Sequence, residues 1–133
     1  MIVQDYMTKD PVTVRADDPL SRVGEVFDVE RFRHLPVVDA SRNLVGILSD
    51  RDLRNIQCAM EILETSVQGE QHVLVKDVMT ATVRSVSAGD SLKSAAELFL
   101  SLRVGALPVV EDGKLAGILS YTDVLRAFIS LAK

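Results

Sequence analysis

Tryptophan is absent from this sequence, and cysteine occurs once, at Cys58. A lone cysteine cannot form an internal disulfide, so the fold does not depend on one. Histidine is nearly as scarce, with only His34 and His72. Neither a pair of nucleophile and base nor a cluster of metal ligands can be proposed from these residues. We therefore expect a protein that is not an enzyme and that carries no metal and no cofactor.

Long apolar runs and runs of basic residues are also missing. No stretch approaches the roughly 20 apolar residues of a membrane-spanning helix, and the beginning MIVQDYMTKD lacks a basic-then-apolar leader. The net charge of −4 is a poor match for the basic surfaces that bind nucleic acid. We expect a cytoplasmic protein with no nucleic-acid and no membrane partner. Its composition, 47% hydrophobic and 26% charged, is that of a folded globular protein.

The sequence contains one pattern twice. Positions spread over residues 3–38 recur 72 residues later, among them the LPVV of 35–38, which returns at 107–110. The first copy then holds one extra residue in a polar turn, after which LVGILS at 44–49 matches LAGILS at 115–120. Loops absorb length changes that strands cannot, so a gap confined to a turn is typical of duplicated structure.

Each copy is predicted to form β-α-β-β-α. A short β-branched strand precedes a one-sided helix, which we expect to begin behind Asp18 in the first copy and behind Asp90 in the second. Two strands around the polar turn and a second helix complete the copy. Residues 1–63 are predicted to be the first repeat, 64–73 a linker and 74–133 the second repeat. Because neither repeat is long enough to bury much alone, we expect one shared core.

The last helix of each copy carries an apolar stripe. Such a stripe either belongs to the core or forms an interface between repeats or between protomers, and the sequence leaves both possibilities open. The residues concerned are Leu53, Ile56, Met60 and Leu63 in the first copy and Val124, Leu125, Phe128 and Ile129 in the second.

A turn of the form Gly-apolar-apolar-Ser-x-x-Asp also occurs twice, as GILSDRD at 46–52 and GILSYTD at 117–123. It places a serine and an aspartate where a strand passes into a helix whose first N–H groups lack partners. One interpretation is structural. Serine followed three residues later by an acid is the signature of a helix-capping box.

The second interpretation is a nucleotide site. A helix N-terminus and a serine hydroxyl suit a phosphate, whereas an ionised aspartate accepts hydrogen bonds from ribose hydroxyls. Gly46 and Gly117 lie inside strands, where glycine is unfavourable unless something must approach the backbone closely. The predicted binding residues are Ser49, Asp52, Ser120 and Asp123.

Taken together, the repeated motifs resemble those of a tandem pair of cystathionine-β-synthase (CBS) domains, a Bateman module. The motifs are the opening DYMT and DVMT, the RHLPVVD and GALPVVE strands, the doubled turn and the spacing between them. The resemblance spans essentially the whole chain and extends to stand-alone bacterial and archaeal CBS proteins, including the acetoin-utilisation type. It implies an α+β fold in which two β-α-β-β-α repeats pack through their small sheets with pseudo-two-fold symmetry.

The resemblance also implies a function. Such modules bind AMP, ADP, ATP or S-adenosylmethionine in clefts between the repeats, often form homodimers with four repeats in a disc, and regulate a partner protein. By position, Asp52 and Asp123 would hold a ribose, and Ser49 and Ser120 would lie on the phosphate side. The wider set of implied cleft residues is Thr13, Arg33, His34, Leu35, Ser85, Ala106 and Leu107. The alternative is a ligand-free scaffold for dimerisation or protein interaction, in which the turns serve only as caps and His34 is an ordinary packed or exposed side chain.

Overall fold

The computed structural model describes residues 1–23, 34–49, 51–52, 73–81 and 83–132. The chain divides into two compact units. The first-repeat unit comprises residues 12–83, and the second-repeat unit comprises residues 1–11 together with 84–133. Each unit therefore contains most of one sequence repeat, but residues 1–11 belong with the second repeat rather than with the first.

Each unit is a mixed α+β structure, as predicted, around a small three-stranded sheet. The short strand predicted before the first helix forms in the first-repeat unit, whereas in the second-repeat unit the equivalent Val86 makes only an isolated bridge to Val109. In the first-repeat unit, β2 (Val14–Arg15) pairs in parallel with β3 (His34–Val38), which pairs antiparallel with β4 (Leu44–Ser49). In the second-repeat unit, β5 (Ala106–Glu111) pairs antiparallel with β6 (Lys114–Ser120), and β1 (Thr8–Lys9) adds to the other edge of β6. The predicted hairpin is thus confirmed in both repeats.

Helices flank these strands. A short 3₁₀ helix spans Val3–Asp5, and the α-helices that lie wholly within the described residues are α1 (Val75–Val78), α2 (Leu92–Leu102) and α3 (Tyr121–Leu131). Residues 20–23 and 51–52 are also helical. Helix α2 buries Leu92, Ala95 and Phe99, three positions at helical spacing, and ends at Arg103 in the left-handed region with φ 55°.

The predicted start of α2 is off by one residue. Asp90 does not cap the helix, because its Oδ2 accepts a hydrogen bond from the Ser87 N–H at 2.9 Å and so closes the preceding turn. Ser91 is the N-cap, and its Oγ accepts from the Ser94 N–H at 3.0 Å. Asp18 behaves like Asp90, since its Oδ2 accepts from the Arg15 N–H at 2.8 Å.

Each unit has its own cluster of buried apolar residues, whereas the short repeats predict one shared core. In the first-repeat unit the cluster includes Leu20, Leu35 and Leu48, which are at most 2% exposed. In the second-repeat unit it includes Leu107 and Leu119, the counterparts of Leu35 and Leu48. The same repeat positions therefore fill both cores.

The leading segments of the two repeats, residues 1–9 and 73–81, are exchanged between the repeats, since each packs in the unit that contains the strands of the other copy. The Val3 N–H donates to the Asp90 carbonyl at 2.9 Å. At the equivalent place in the other unit, the Val75 N–H donates to the Asp18 carbonyl at 2.9 Å. Farther along, Thr8 pairs with Ile118 and Thr80 pairs with Ile47, again at equivalent positions. Each leading segment thus covers the strand that ends at the serine of the doubled turn in the other repeat.

Helix α3 leaves an apolar stripe exposed. Leu125, Phe128 and Ile129 are 51%, 66% and 68% exposed, and Tyr121 at the start of the helix continues the stripe. The opposite face packs inward through Asp123 and Ala127. Of the predicted α3 stripe, Val124 packs against the core and the other members face outward. The first-repeat stripe from Leu53 to Leu63 lies outside the described residues.

Candidate functional site

Both Ser-x-x-Asp turns lie at the junction predicted for them, between a strand and a helix. Ser120 is the last residue of β6 and the N-cap of α3. Ser49 is the last residue of β4, and residues 51–52 after it are helical. Each serine therefore presents its hydroxyl beside a helix N-terminus, where the first backbone N–H groups have no partner within the helix.

In the second-repeat unit the turn forms a reciprocal cap. The Ser120 N–H donates to Asp123 Oδ2 at 2.9 Å, and the Asp123 N–H donates to Ser120 Oγ at 3.2 Å. The Ser120 hydroxyl also lies 2.8 Å from the Thr122 hydroxyl. This arrangement is the capping box that the structural interpretation predicts, with aspartate in the place that glutamate usually takes.

The first-repeat unit repeats the same geometry. The Ser49 N–H donates to Asp52 Oδ2 at 3.2 Å, and the Asp52 N–H donates to Ser49 Oγ at 3.0 Å. A cap and a ligand site are not exclusive here, because an ionised carboxylate offers about four lone-pair positions and the cap uses one. Capping also fixes the side-chain rotamer, so each carboxylate is already oriented before any ligand arrives.

The strand register brings the predicted cleft residues to these turns. His34, the first residue of β3, lies directly opposite Ser49, and Ala106, the first residue of β5, lies directly opposite Ser120. The two repeats therefore differ at one equivalent cross-strand position, with an imidazole in one and a methyl group in the other. Arg33 lies outside the described residues.

Leu35 and Leu107, two of the cleft residues that the resemblance implies, have side chains that belong to the buried clusters of the two units. They are cross-strand partners of Leu48 and Leu119 and are at most 1% exposed, so their side chains fill the cores. Successive strand residues point to opposite faces, which is why the residue next to a site position becomes a core position.

Thr13 and Ser85 also occupy equivalent places. Each precedes a valine that pairs in parallel with the middle of the LPVV strand, Val14 with Val37 and Val86 with Val109. Thr13 is half-buried and Ser85 is exposed. Both therefore lie beside the strand that begins at the site.

The two strand glycines make room for the chain itself rather than for a ligand. A Cβ at Gly117 would lie 2.7 Å from both Met7 Sδ and the Thr8 carbonyl oxygen. A Cβ at Gly46 would lie 2.5 Å from Met79 Sδ and 3.0 Å from the Thr80 carbonyl oxygen. The interpretation of these glycines as a sign of ligand approach is therefore wrong, because the exchanged leading segments are what approach them.

Charge distinguishes the second turn. Asp123 is 8% exposed and is the only charged residue in the buried class among the residues that the structure describes. Its Oδ1 accepts a hydrogen bond from Arg126 Nη1 at 3.0 Å, one helical turn later. Sequence reasoning overlooked Arg126, although acid and base three residues apart on a helix are a recognisable pair.

A family model described as the CBS domain matches residues 3–58 and again residues 75–130. The chain belongs to the CBS-domain family. The matched ranges begin at equivalent points of the two repeats and contain both Ser-x-x-Asp turns. This CBS pair thus matches the family model once in each repeat.

Solved structures of similar length share this fold. The CBS-pair protein CBSX2 of Arabidopsis thaliana, solved in complex with AMP, is 32% identical, with a TM-score of 0.84 over 99% of this chain and 98% of that one. The Vibrio cholerae protein AcuB, named for acetoin utilization, is 30% identical, with a TM-score of 0.83 over 99% and 93% of the two chains.

The curated relatives are longer proteins. The uncharacterized protein MJ1225 of Methanocaldococcus jannaschii is 33% identical over 96% of this chain and 47% of its own length. Inosine-5'-monophosphate dehydrogenase of the same organism is 32% identical over 92% of this chain and 22% of its own length. The chain therefore spans about half or less of the curated relatives that it matches.

Within the described part of the chain, no group of three or more His, Cys, Asp or Glu side chains is arranged to hold a metal ion. No helix there is long and apolar enough to cross a membrane.

Proposed function

We propose that this CBS pair is a regulatory module that binds an adenosyl ligand, namely AMP, ADP, ATP or S-adenosylmethionine, and changes its assembly or partner contacts on binding. One observation carries the proposal. In both units a serine hydroxyl and an aspartate carboxylate are fixed at a helix N-terminus with the same reciprocal geometry.

Each group at the turn has a chemical counterpart in such a ligand. The helix N-terminus and the serine hydroxyl can donate to a phosphate or another anionic group. The carboxylates of Asp52 and Asp123 can accept from the two ribose hydroxyls while keeping their cap bonds. The residue opposite each serine, His34 or Ala106, then adjoins the ligand differently in the two repeats.

The AMP complex of CBSX2 supports this choice of ligand class, since that protein is 32% identical over nearly the full length of both chains. A ligand can switch a module only if it binds two arrangements with different affinity. The regulated response is therefore a shift between assemblies or partner contacts, and we assign no catalytic step to the module.

A ligand-free scaffold is the second candidate, and two observations favour it. The Ser-x-x-Asp turns are fully accounted for as helix caps, and α3 exposes an apolar stripe that suits a second copy of the chain. A homodimer formed through this stripe, with four repeats in a disc, is compatible with both candidates. Ligand binding therefore decides between them.

Calorimetric titration with AMP, ATP and S-adenosylmethionine tests the proposal. We expect wild type to bind at least one of them, and Asp52→Ala and Asp123→Ala each to remove or weaken one site. Losing a hydrogen bond to a charged acceptor typically costs about 1.5–3 kcal/mol, or roughly 10- to 150-fold in affinity at that site.

A variant that keeps the cap separates binding from stability. Asp123→Glu restores the usual capping box and so leaves the melting temperature near that of wild type, but it moves the carboxylate by one methylene group away from a ribose. We expect it to impair ligand binding as Asp123→Ala does. If folded wild-type protein binds none of the three ligands, or if none of these substitutions changes the affinity, the adenosyl-binding proposal fails. The ligand-free scaffold is then the remaining candidate.

A further inference from the structure

The two Ser-x-x-Asp turns differ in what holds the aspartate. In the second-repeat unit both carboxylate oxygens of Asp123 are engaged, Oδ2 by the Ser120 N–H at 2.9 Å and Oδ1 by Arg126 Nη1 at 3.0 Å. In the first repeat the residue at the position of Arg126 is Asn55, which lies outside the described residues and carries no charge. Three residues after the aspartate, the sequence thus specifies a cation in the second repeat and a neutral side chain in the first.

Burial explains why Asp123 has such a partner. Its side chain is 11% exposed, whereas that of Arg126 is 74% exposed. A carboxylate with so little water around it is stabilised by a paired cation, and the long arginine side chain supplies one from the surface. Asp52 is half-buried, so water solvates its carboxylate more fully.

We propose that Arg126 makes the Asp123 turn the weaker of two unequal adenosyl sites, because it competes with the ligand's ribose for Asp123 Oδ1. This inference rests on the proposed function. A ribose hydroxyl that reaches Oδ1 must share this oxygen with the guanidinium or displace it, and an acceptor already neutralised by a cation forms a weaker hydrogen bond. Arg126 acts through Asp123 and is a positioning residue rather than a direct ligand contact.

The molecule then responds to its ligand over two concentration ranges. A site whose aspartate is not held by a cation fills first, and the Asp123 site fills only at higher ligand concentration. One chain can then respond to both a low and a high concentration of the same ligand. The difference in affinity between the two sites depends on one pair of equivalent sequence positions, Asn55 and Arg126.

The test isolates the second site by titrating AMP into Asp52→Ala and into Asp52→Ala/Arg126→Asn, which installs the residue that the first repeat uses. We expect the second variant to bind AMP roughly two- to fivefold more tightly, the range that an ion pair with one exposed partner allows. The matched control is Asp52→Ala/Lys93→Asn. It removes one positive charge from an exposed position of α2 and is expected to leave the affinity unchanged.

The salt dependence of AMP affinity tests whether Arg126 acts through its charge, because a purely structural role of Arg126 would not make the affinity ratio depend on salt. Raising the ionic strength from about 0.05 M to about 0.5 M weakens a pair with an exposed cation, so the affinity ratio of the two variants should fall toward one. The charge-retaining variant Asp52→Ala/Arg126→Lys should stay close to Asp52→Ala.

Failure of this inference is distinguishable from failure of the proposed function. If Asp52→Ala binds AMP and Arg126→Asn leaves the affinity unchanged or reduces it, the role of Arg126 is overturned and the proposed function stands. Binding to wild type with none to Asp52→Ala, with or without Arg126, also overturns it. If folded wild type binds no AMP, ATP or S-adenosylmethionine, both proposals fall together.

Discussion

Replacing Gly117 by alanine is expected to lower the free energy of unfolding by about 2–3 kcal/mol, the upper part of the usual overpacking cost. The new methyl group would meet the Thr8 carbonyl oxygen and Met7 Sδ, both at 2.7 Å. A flexible thioether can swing aside, but the carbonyl belongs to β1, which is hydrogen-bonded to β6. The substitution therefore pushes the leading segment off its strand. Urea denaturation followed by circular dichroism measures the change.

Two other glycines serve as controls for this prediction. Gly46→Ala should cost less, about 1 kcal/mol, because the nearest atom is Met79 Sδ and the Thr80 carbonyl oxygen is farther away, at 3.0 Å. Gly89→Ala should be neutral, since no atom lies within 4 Å of the added carbon. If Gly117→Ala is as stable as wild type, or if Gly46→Ala is the more destabilising change, then the leading segments do not pack against the glycines as described.

Replacing Ile129 by aspartate is expected to convert the proposed homodimer to monomer at micromolar protein concentration. Ile129 is 68% exposed in the single chain and lies at the C-terminal end of the α3 stripe, next to Phe128. A two-fold interface presents every substitution twice, so two carboxylates would lose water in an apolar contact. We expect the dissociation constant to rise by at least about 100-fold. Light scattering after size exclusion reports the mass directly.

Ser130→Asp is the matched control. It adds the same charge to the same last turn of α3, so it shares the unfavourable interaction with the helix dipole, but it lies outside the apolar stripe. It should leave the mass of the dimer unchanged. A wild-type protein that is monomeric at these concentrations, or an Ile129→Asp variant that remains dimeric, would show that the stripe is not a contact between copies.

The local features of the site were accessible to sequence reasoning. A serine and an aspartate three residues apart after an apolar strand predict a strand-to-helix junction, and the structure places both turns there. The LPVV strands and the polar turns predict the two hairpins, and the strand register then sets His34 opposite Ser49. These predictions hold because each depends on residues close together in sequence, where side-chain period and turn chemistry decide the structure.

The sequence did not reveal which copy each leading segment joins. Because the two copies share the same local pattern, a leading segment could pair with the strand of its own repeat or with that of the other repeat. Periodicity therefore cannot tell whether Thr8 pairs with Ile118 or with Ile47. The misinterpretation of the two glycines has the same origin. The close approach was inferred correctly, but the approaching residues are distant in sequence, Met7 at Gly117 and Met79 at Gly46. At α2, adjacent Asp90 and Ser91 are both good caps, and only the backbone decides which one is used.

The crossed leading segments make the pair indivisible. If one repeat were expressed alone, its leading segment would have no strand to pair with. Its last strand, β4 or β6, would have an uncovered glycine and unpaired backbone groups at its edge. The leading segment of a neighbouring molecule could pair with this edge instead, which is how proteins domain-swap or aggregate. Descendants of such a chain are therefore expected to gain or lose these repeats in twos, and engineered fusions should transplant both or neither.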